Sequence, residues 1–213
     1  MPAKLSLILG TMLMMLIGTV AIGSNMGFKI VIPLVTGTNN YISLPYYTQY
    51  TDAYSLAIDI KGSDTTTATV NRWDPTTKQV QYWNSNGRGS ANGDFMVTGG
   101  EGYWVTITSA KTTPWIVVGS HNPSLVIHLV TGTNNYISVP YHTTQTTAYG
   151  LAVEIKGQSA ATVTANRWNT TTRQVEYWNS NGRGSAGGNF AITPGEGYWI
   201  TTTVAVDWQP SHY

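Results

Sequence analysis

Four histidines, ten carboxylates and no cysteine are the side chains from which catalysis or metal binding would have to be built in this 213-residue chain. The lack of cysteine removes disulfides, thiolate metal sites and cysteine nucleophiles together. The histidines stand at His121, His128, His142 and His212, with no His-x-x-x-His spacing and no neighbouring acid cluster. Zinc needs three or four converging ligands, and this spacing offers none. Only two acidic positions recur at the same place in the two halves of the chain, Asp59/Glu154 and Glu101/Glu196. A glycosidase needs two carboxylates facing one bond, which isolated acids do not supply. Glu101 lies between two glycines in a tight turn, where pairing with Arg72 or Arg88 is the expected role. Asp59 falls on a helix, facing solvent or a neighbour. The reading is therefore a protein that is not an enzyme, with no catalytic residue, no metal site and no cofactor.

The elements that would position these groups come from an internal repeat. Residues 35–104 align without a gap to residues 130–199 at a constant offset, Tyr41 falling on Tyr136, and about two-thirds of the aligned positions are identical. Similarity continues weakly upstream, where Lys29–Ile32 lies over Ser124–Ile127. It fades downstream of Trp104 and Trp199, although each copy has one more tryptophan, Trp115 and Trp208. The domain reading is residues 1–23 as signal peptide or hydrophobic anchor, 24–120 as module 1 and 121–213 as module 2. The connection Ser109–Asn122 is short and partly apolar, so the modules should pack together.

Each copy reads alike. Lys29–Val35 and Leu125–Val130 are short β-branched runs, expected as buried strands. Tyr41–Pro45 alternates and stops at proline. Thr51–Gly62 places Ala53, Leu56, Ala57 and Ile60 at helical spacing, with Thr51 or Asp52 as cap and Gly62 as a left-handed end, and Thr147–Gly157 repeats it. Thr67–Trp73 and Gln79–Trp83 form a hairpin around Asp74–Thr77. Asn84–Gly93 is a loop of turn formers. Phe95–Thr98, Tyr103–Ile107 and Trp115–Val118 complete the strands. The fold class expected is mainly β (α+β): two tandem β-sandwich or barrel-like modules, each with one short helix.

The pattern Asn-x-Ile-Ser-Leu-Pro, a short helix, Arg-Trp-Asp, then Gly-x-Gly-Tyr-Trp-Val is carried by Asn40–Pro45, Arg72–Asp74 and Gly100–Val105. It recurs in Asn135–Pro140, Arg167–Asn169 and Gly195–Ile200. It resembles the tandem β-rich repeat modules of prokaryotic cell-surface and extracellular proteins. The resemblance implies a surface or secreted location and no defined activity. Asn169 departs from it where the first copy has Asp74, so any charge role of Asp74 would be missing from the second copy.

Location and function follow from the ends of the composition. Leu5–Gly23 runs without a charge behind Lys4. Its length suits a membrane span, and its small residues near Ala21–Ser24 suit cleavage. A removed signal, a retained anchor touching the membrane through residues 5–23, and a hydrophobic helix packed in an assembly core stay open. Charged residues make up 10% and the formal net charge is +1, so nothing attracts nucleic acid. A low-charge surface also tolerates close packing of copies. The expectation is a self-assembling filament or surface-layer subunit, a homopolymer joined by strand addition. Its donated strand would comprise Phe28, Ile30, Val31, Ile32 and Leu34. The alternative is a glycan-binding or adhesion module using tyrosine and tryptophan faces. Tyr47 and Tyr50, replaced by His142 and Gln145 in the second copy, and Arg88 and Arg183 are the candidate interface or ligand residues. Trp73, Trp83, Trp104 and their twins sit in strands and read as core. Asn169-Thr-Thr171 is a candidate glycosylation acceptor.

Overall fold

The computed structural model describes residues 27–120, 122–157 and 159–211, so the hydrophobic run, His121 and His212 lie outside it. The fold is mostly β, with four antiparallel sheets and two short helices. Module 1 contains β1 (Phe28–Ile32), β2 (Asn40–Ser43), β3 (Tyr47–Thr48), α1 (Ala53–Lys61), β4 (Ala68–Asp74), β5 (Gln79–Asn84), β6 (Gly102–Ile107) and β7 (Trp115–Ser120). Module 2 contains β8 (Ile127–Leu129), β9 (Asn135–Ile137), α2 (Ala148–Lys156), β10 (Val163–Asn169), β11 (Gln174–Asn179), β12 (Tyr198–Thr202) and β13 (Val206–Trp208). The larger sheets run β2-β6-β4-β5 and β9-β12-β10-β11. Two smaller sheets, β1-β7-β3 and β8-β13, complete the modules.

Each helix packs on its larger sheet. Ala53, Leu56, Ala57 and Ile60 are all fully buried, as their spacing requires. Asp52, in extended conformation, caps α1: its carboxylate accepts the Ser55 N–H at 2.7 Å, and Ser55 answers with its hydroxyl oxygen. Such a cap contributes about 1 kcal/mol. Thr147 does the same for α2 through Gly150. Gly62 ends α1 at φ 56°, ψ −134°, a positive φ but outside the left-handed helical region expected.

The strand expected at Phe95–Thr98 is not part of a ladder. It makes one bridge, Asp52↔Met96, because its backbone is used to hold the helix start: Ala53 N–H donates to Phe95 O and Val97 N–H to Thr51 O. The loop Asn84–Gly93 folds back along β5. Asn84 N–H donates to Arg88 O, and Ser90 N–H to Tyr82 O. A Cβ at Gly89 would lie 2.1 Å from Tyr82 O, so only glycine admits this closeness. The loop thereby covers part of an edge that would otherwise be open to pairing.

The modules join through their backbones. β2 pairs β6, β6 meets β9 at Glu101↔Ile137, β9 pairs β12, and β12 returns to β2 at Ile42↔Glu196. The four strands close a ring about a local two-fold axis. Ser43 N–H donates to Gly195 O at 2.9 Å, and Ser138 N–H to Gly100 O at 2.8 Å. A Cβ on Gly102 would stand 2.6 Å from Ile137 O, and one on Gly197 2.7 Å from Ile42 O. The second glycine of each Gly-Glu-Gly turn is thus required by the other module. Inside the ring Tyr41 and Tyr136 stack at 5.9 Å and 7°, flanked by Trp104 and Trp199. Of the tryptophans read as core, Trp104 and Trp199 are buried at the seam, Trp83 and Trp178 pack partly against their own module's core, and Trp73 and Trp168 are half-buried.

Gly102→Ala and Gly197→Ala should each lower the unfolding free energy by about 1–3 kcal/mol, the usual cost of overpacking. Urea denaturation measures this; losses within error for both would show that the modules tolerate wider spacing.

Candidate functional site

Within the Phe28–Leu34 segment, Phe28–Ile32 forms β1 and lies opposite β7 in its own chain, from Phe28↔Gly119 to Ile32↔Trp115. Alternation explains its two faces. Ile30 and Ile32 enter the module 1 core, while Val31 points outward beside Ile116 and Val118, all three more than 40% exposed. Leu34 packs partly against the same core. The seat of β1 also involves module 2. Ile30 and Ile32 lie against the Gly195 turn, where an added Cβ would meet Ile30 at 2.8 Å. Phe28 stacks on Tyr141 at 4.6 Å and lies 5.1 Å from His142. The outer edge of β1 has no partner strand among the described residues.

Tyr47 is 56% exposed in β3. Tyr50 is buried, which corrects its reading as a surface residue. Its hydroxyl donates to Asp59 at 2.6 Å, and the indole N–H of Trp115 donates to the same oxygen at 2.7 Å. Burial, then the bonded Asp59, holds the Tyr50 phenol well above its ordinary range. Asp59 therefore ties α1 to β7. Glu154 does the same in module 2, accepting from the Trp208 indole at 2.8 Å and from Ser211. Trp115 and Trp208 are structural twins, opposite Ile32 and Ile127, although they miss the constant offset by two residues.

Arg88 and Arg183 are exposed and neither forms an ion pair within the described chain, so they do not bridge the modules. Asn169 is engaged at both ends of its amide: Oδ1 accepts from Thr171 and Thr172, and Nδ2 donates to Glu176 at 2.8 Å. His128 is exposed and 2.7 Å from Asp207, whereas His142 is buried. No group of three or more potential metal ligands occurs among the described residues, and no described helix is long and apolar enough to cross a membrane.

Glu101 and Glu196 occupy the Gly-Glu-Gly turns. Glu101 accepts from the Tyr103 hydroxyl at 2.7 Å and stands 3.9 Å from Arg72; Glu196 has the same partners in Tyr198, at 2.8 Å, and Arg167. The arginine is thus present as expected, but tyrosine is the close partner. Burial raises both carboxyls above their ordinary 4.5, against the pull of the tyrosine and arginine. Each guanidinium lies over a phenylalanine, Arg72 on Phe95 at 4.8 Å and Arg167 on Phe190 at 4.7 Å.

Asp74 and Asn169 now make sense together. Gln81 Nε2 donates to Asp74 at 3.1 Å in module 1, and Asn169 Nδ2 donates to Glu176 in module 2. Arg72 binds Gln81 at 2.8 Å, and Arg167 binds Glu176 at 2.7 Å. One acid and one amide support each arginine, with their places exchanged. The second copy has therefore kept the charge that Asn169 seemed to remove.

No protein-family model, curated protein or solved structure matches the chain.

Two outcomes test the site. The folded state holds protons on Glu101 and Glu196 to a higher pH than the unfolded chain does. Their protonated-state stability is therefore complete below about 4.5 and lost as pH rises through the raised values. E101Q/E196Q keeps an acceptor for each tyrosine but cannot ionise, so its stability relative to the parent should grow as pH rises above 4.5. A pH-independent difference in melting temperature would show that ionisation there costs nothing. Asp74→Asn should destabilise module 1 by under ~1 kcal/mol, as half-exposed charges do, and Q81E added to it should restore the loss. A purely additive pair would mean the two positions are not coupled.

Proposed function

We propose that this chain is a non-catalytic, extracellular structural subunit that polymerises by exchanging β1 between copies. One observation carries the reading: β1 is a sheet-edge strand near the N-terminus, seated in a groove formed by β7 and the Gly195 turn of module 2. A second copy could fill this groove with the same residues and the same contacts. Exchange then changes no local energy except strain in the connection, and concentration decides between the closed monomer and the polymer. The connection is residues 33–39, with Pro33 at its start and Gly37 at φ 75°.

The symmetry of contacts supports the same view. The seam between modules is isologous and closes on itself, so it makes one unit of two modules and cannot propagate. A donated β1 is head-to-tail, and such contacts propagate when the rotation between copies does not close a ring. The outward apolar face of Val31, Ile116 and Val118 would be covered as subunits stack. The uncharged run Leu5–Gly23 supports export, and the low charge supports dense packing.

Lys29→Cys with Val118→Cys tests the exchange. The positions oppose one another in register, both side chains are exposed, and no native cysteine interferes. Opposed antiparallel residues lie about 4.5–5.5 Å apart at Cα, within disulfide reach. Oxidised polymer should give a ladder of covalent multimers on non-reducing gels. Polymer yielding monomer alone would place β1 in its own chain and reject exchange, as would a full-length protein that stays monomeric in sedimentation at millimolar concentration.

A further inference from the structure

The ring that joins the modules leaves an open cleft on each side, and β1 supplies part of one wall of the first. The first has a volume of about 420 Å³ and lies between Trp168 of module 2 and Tyr41 of module 1, with Glu196, Arg167 and Asn169 on its walls. The second has a volume of about 300 Å³ and lies between Trp73 and Tyr136, with Glu101 and Asn134. Both fall at the lower end of small-molecule sites, ~300–1,000 Å³. They are related by the local two-fold axis, so one chemistry should serve both.

The geometry points to a pair of saccharide-binding sites. Each wall tryptophan is half-buried and its orientation is fixed across the seam: Trp168 Nε1–H donates to Thr38 Oγ1 at 2.9 Å, and Trp73 Nε1–H to Thr133 Oγ1 at 2.8 Å. The polar edge of the indole is thereby satisfied, and the ring needs no further donor partner. An aromatic face carries negative quadrupole charge and favours weakly positive C–H groups. A pyranose with equatorial hydroxyls presents such a face of C–H bonds.

The remaining lining decides between ligand classes. The first cleft combines a carboxylate and a guanidinium, so it has no net charge to attract a phosphate or an ammonium; in the second, Glu101 and His128 are on the lining and Arg72 stands 3.9 Å from the carboxylate outside it. Glu196 receives the Tyr198 hydroxyl on Oε2, which leaves acceptor capacity on the other oxygen. Hydroxyl groups both donate and accept, and a wall of mixed donors and acceptors around an aromatic plate suits them. The ligand class that fits is a neutral hexopyranose chain with equatorial hydroxyls. The first cleft includes Val31, Ile32 and Pro33, so it is complete only when a β1 is seated; the second takes its corresponding wall from β8.

Native affinity electrophoresis in gels containing hydroxyethylcellulose or glycol chitin, followed by fluorescence titration with cellohexaose, tests the assignment on the full chain. The parent should be retarded by at least one polymer. W168A should lose one of two sites, and W73A/W168A should weaken binding by at least about tenfold. Thr98→Trp with Thr193→Trp fills both clefts from exposed lining positions away from the ring, and should abolish retardation even if the alanine variants unfold. A parent that passes unretarded through both gels overturns the assignment, and so does retardation that survives T98W/T193W. Neither result bears on the cysteine ladder, so the two readings fail separately.

Discussion

The structure rests on a backbone contact that only glycine permits. Gly102 and Gly197 bring β6 and β12 within hydrogen-bonding distance of the partner module's β9 and β2. Without that approach the ring of four strands would not close, and Tyr41, Trp104, Tyr136 and Trp199 would lose their enclosure. The Gly100 and Gly195 turns, both at φ +87°, are held against the apolar strands β8 and β1 by the same contact. Carboxylates, clefts and the β1 groove are all placed from this seam.

Local features were legible in the sequence. Helical spacing at Ala53–Ile60, the cap at Asp52, the hairpin about Asp74–Thr77 and the mainly β, two-module architecture follow from residues within a few positions of one another. The Gly-x-Gly-Tyr-Trp motif reads locally as a turn entering a strand. Its second glycine answers to a carbonyl in the other copy, which no local pattern reveals. The same limit hid the role of Tyr50 and Asp59, whose common partner Trp115 lies 56 positions beyond Asp59. The shortened spacing before Trp208 removed the alignment that would have matched it to Trp115. One signal was present and readable: wherever Asp74 became Asn169, Gln81 became Glu176.

The modules differ at the end of each helix. Lys111 in module 1 bonds Asp64 at 2.7 Å and the helix-terminal carbonyl of Lys61 at 3.1 Å, clamping the connection to the end of α1. That hydrogen bond and Thr112 hold the Asp64 carboxyl down to about 2. Module 2 has Ser159 near the corresponding place, its hydroxyl donating to Lys156 O at 2.7 Å. A charged clamp has thus been replaced by a local cap, with the fold of both helices unchanged. By contrast residues that meet across the axis, such as Tyr41 with Tyr136, Trp73 with Thr133 and Trp168 with Thr38, keep their identity in both copies.

The exchanged acid and amide also bear on how such repeats can be recombined. A crossover between β4 and β5 would unite Asp74 with Glu176, or Asn169 with Gln81. The first places two carboxylates where one amide should donate; the second leaves the arginine without its close acid. Gene conversion that reaches either position is therefore silent for this pair only when it carries the hairpin from residue 74 through 81, or its counterpart, as one tract. At these positions the hairpin, and not the single strand, is the smallest segment that one half can lend the other.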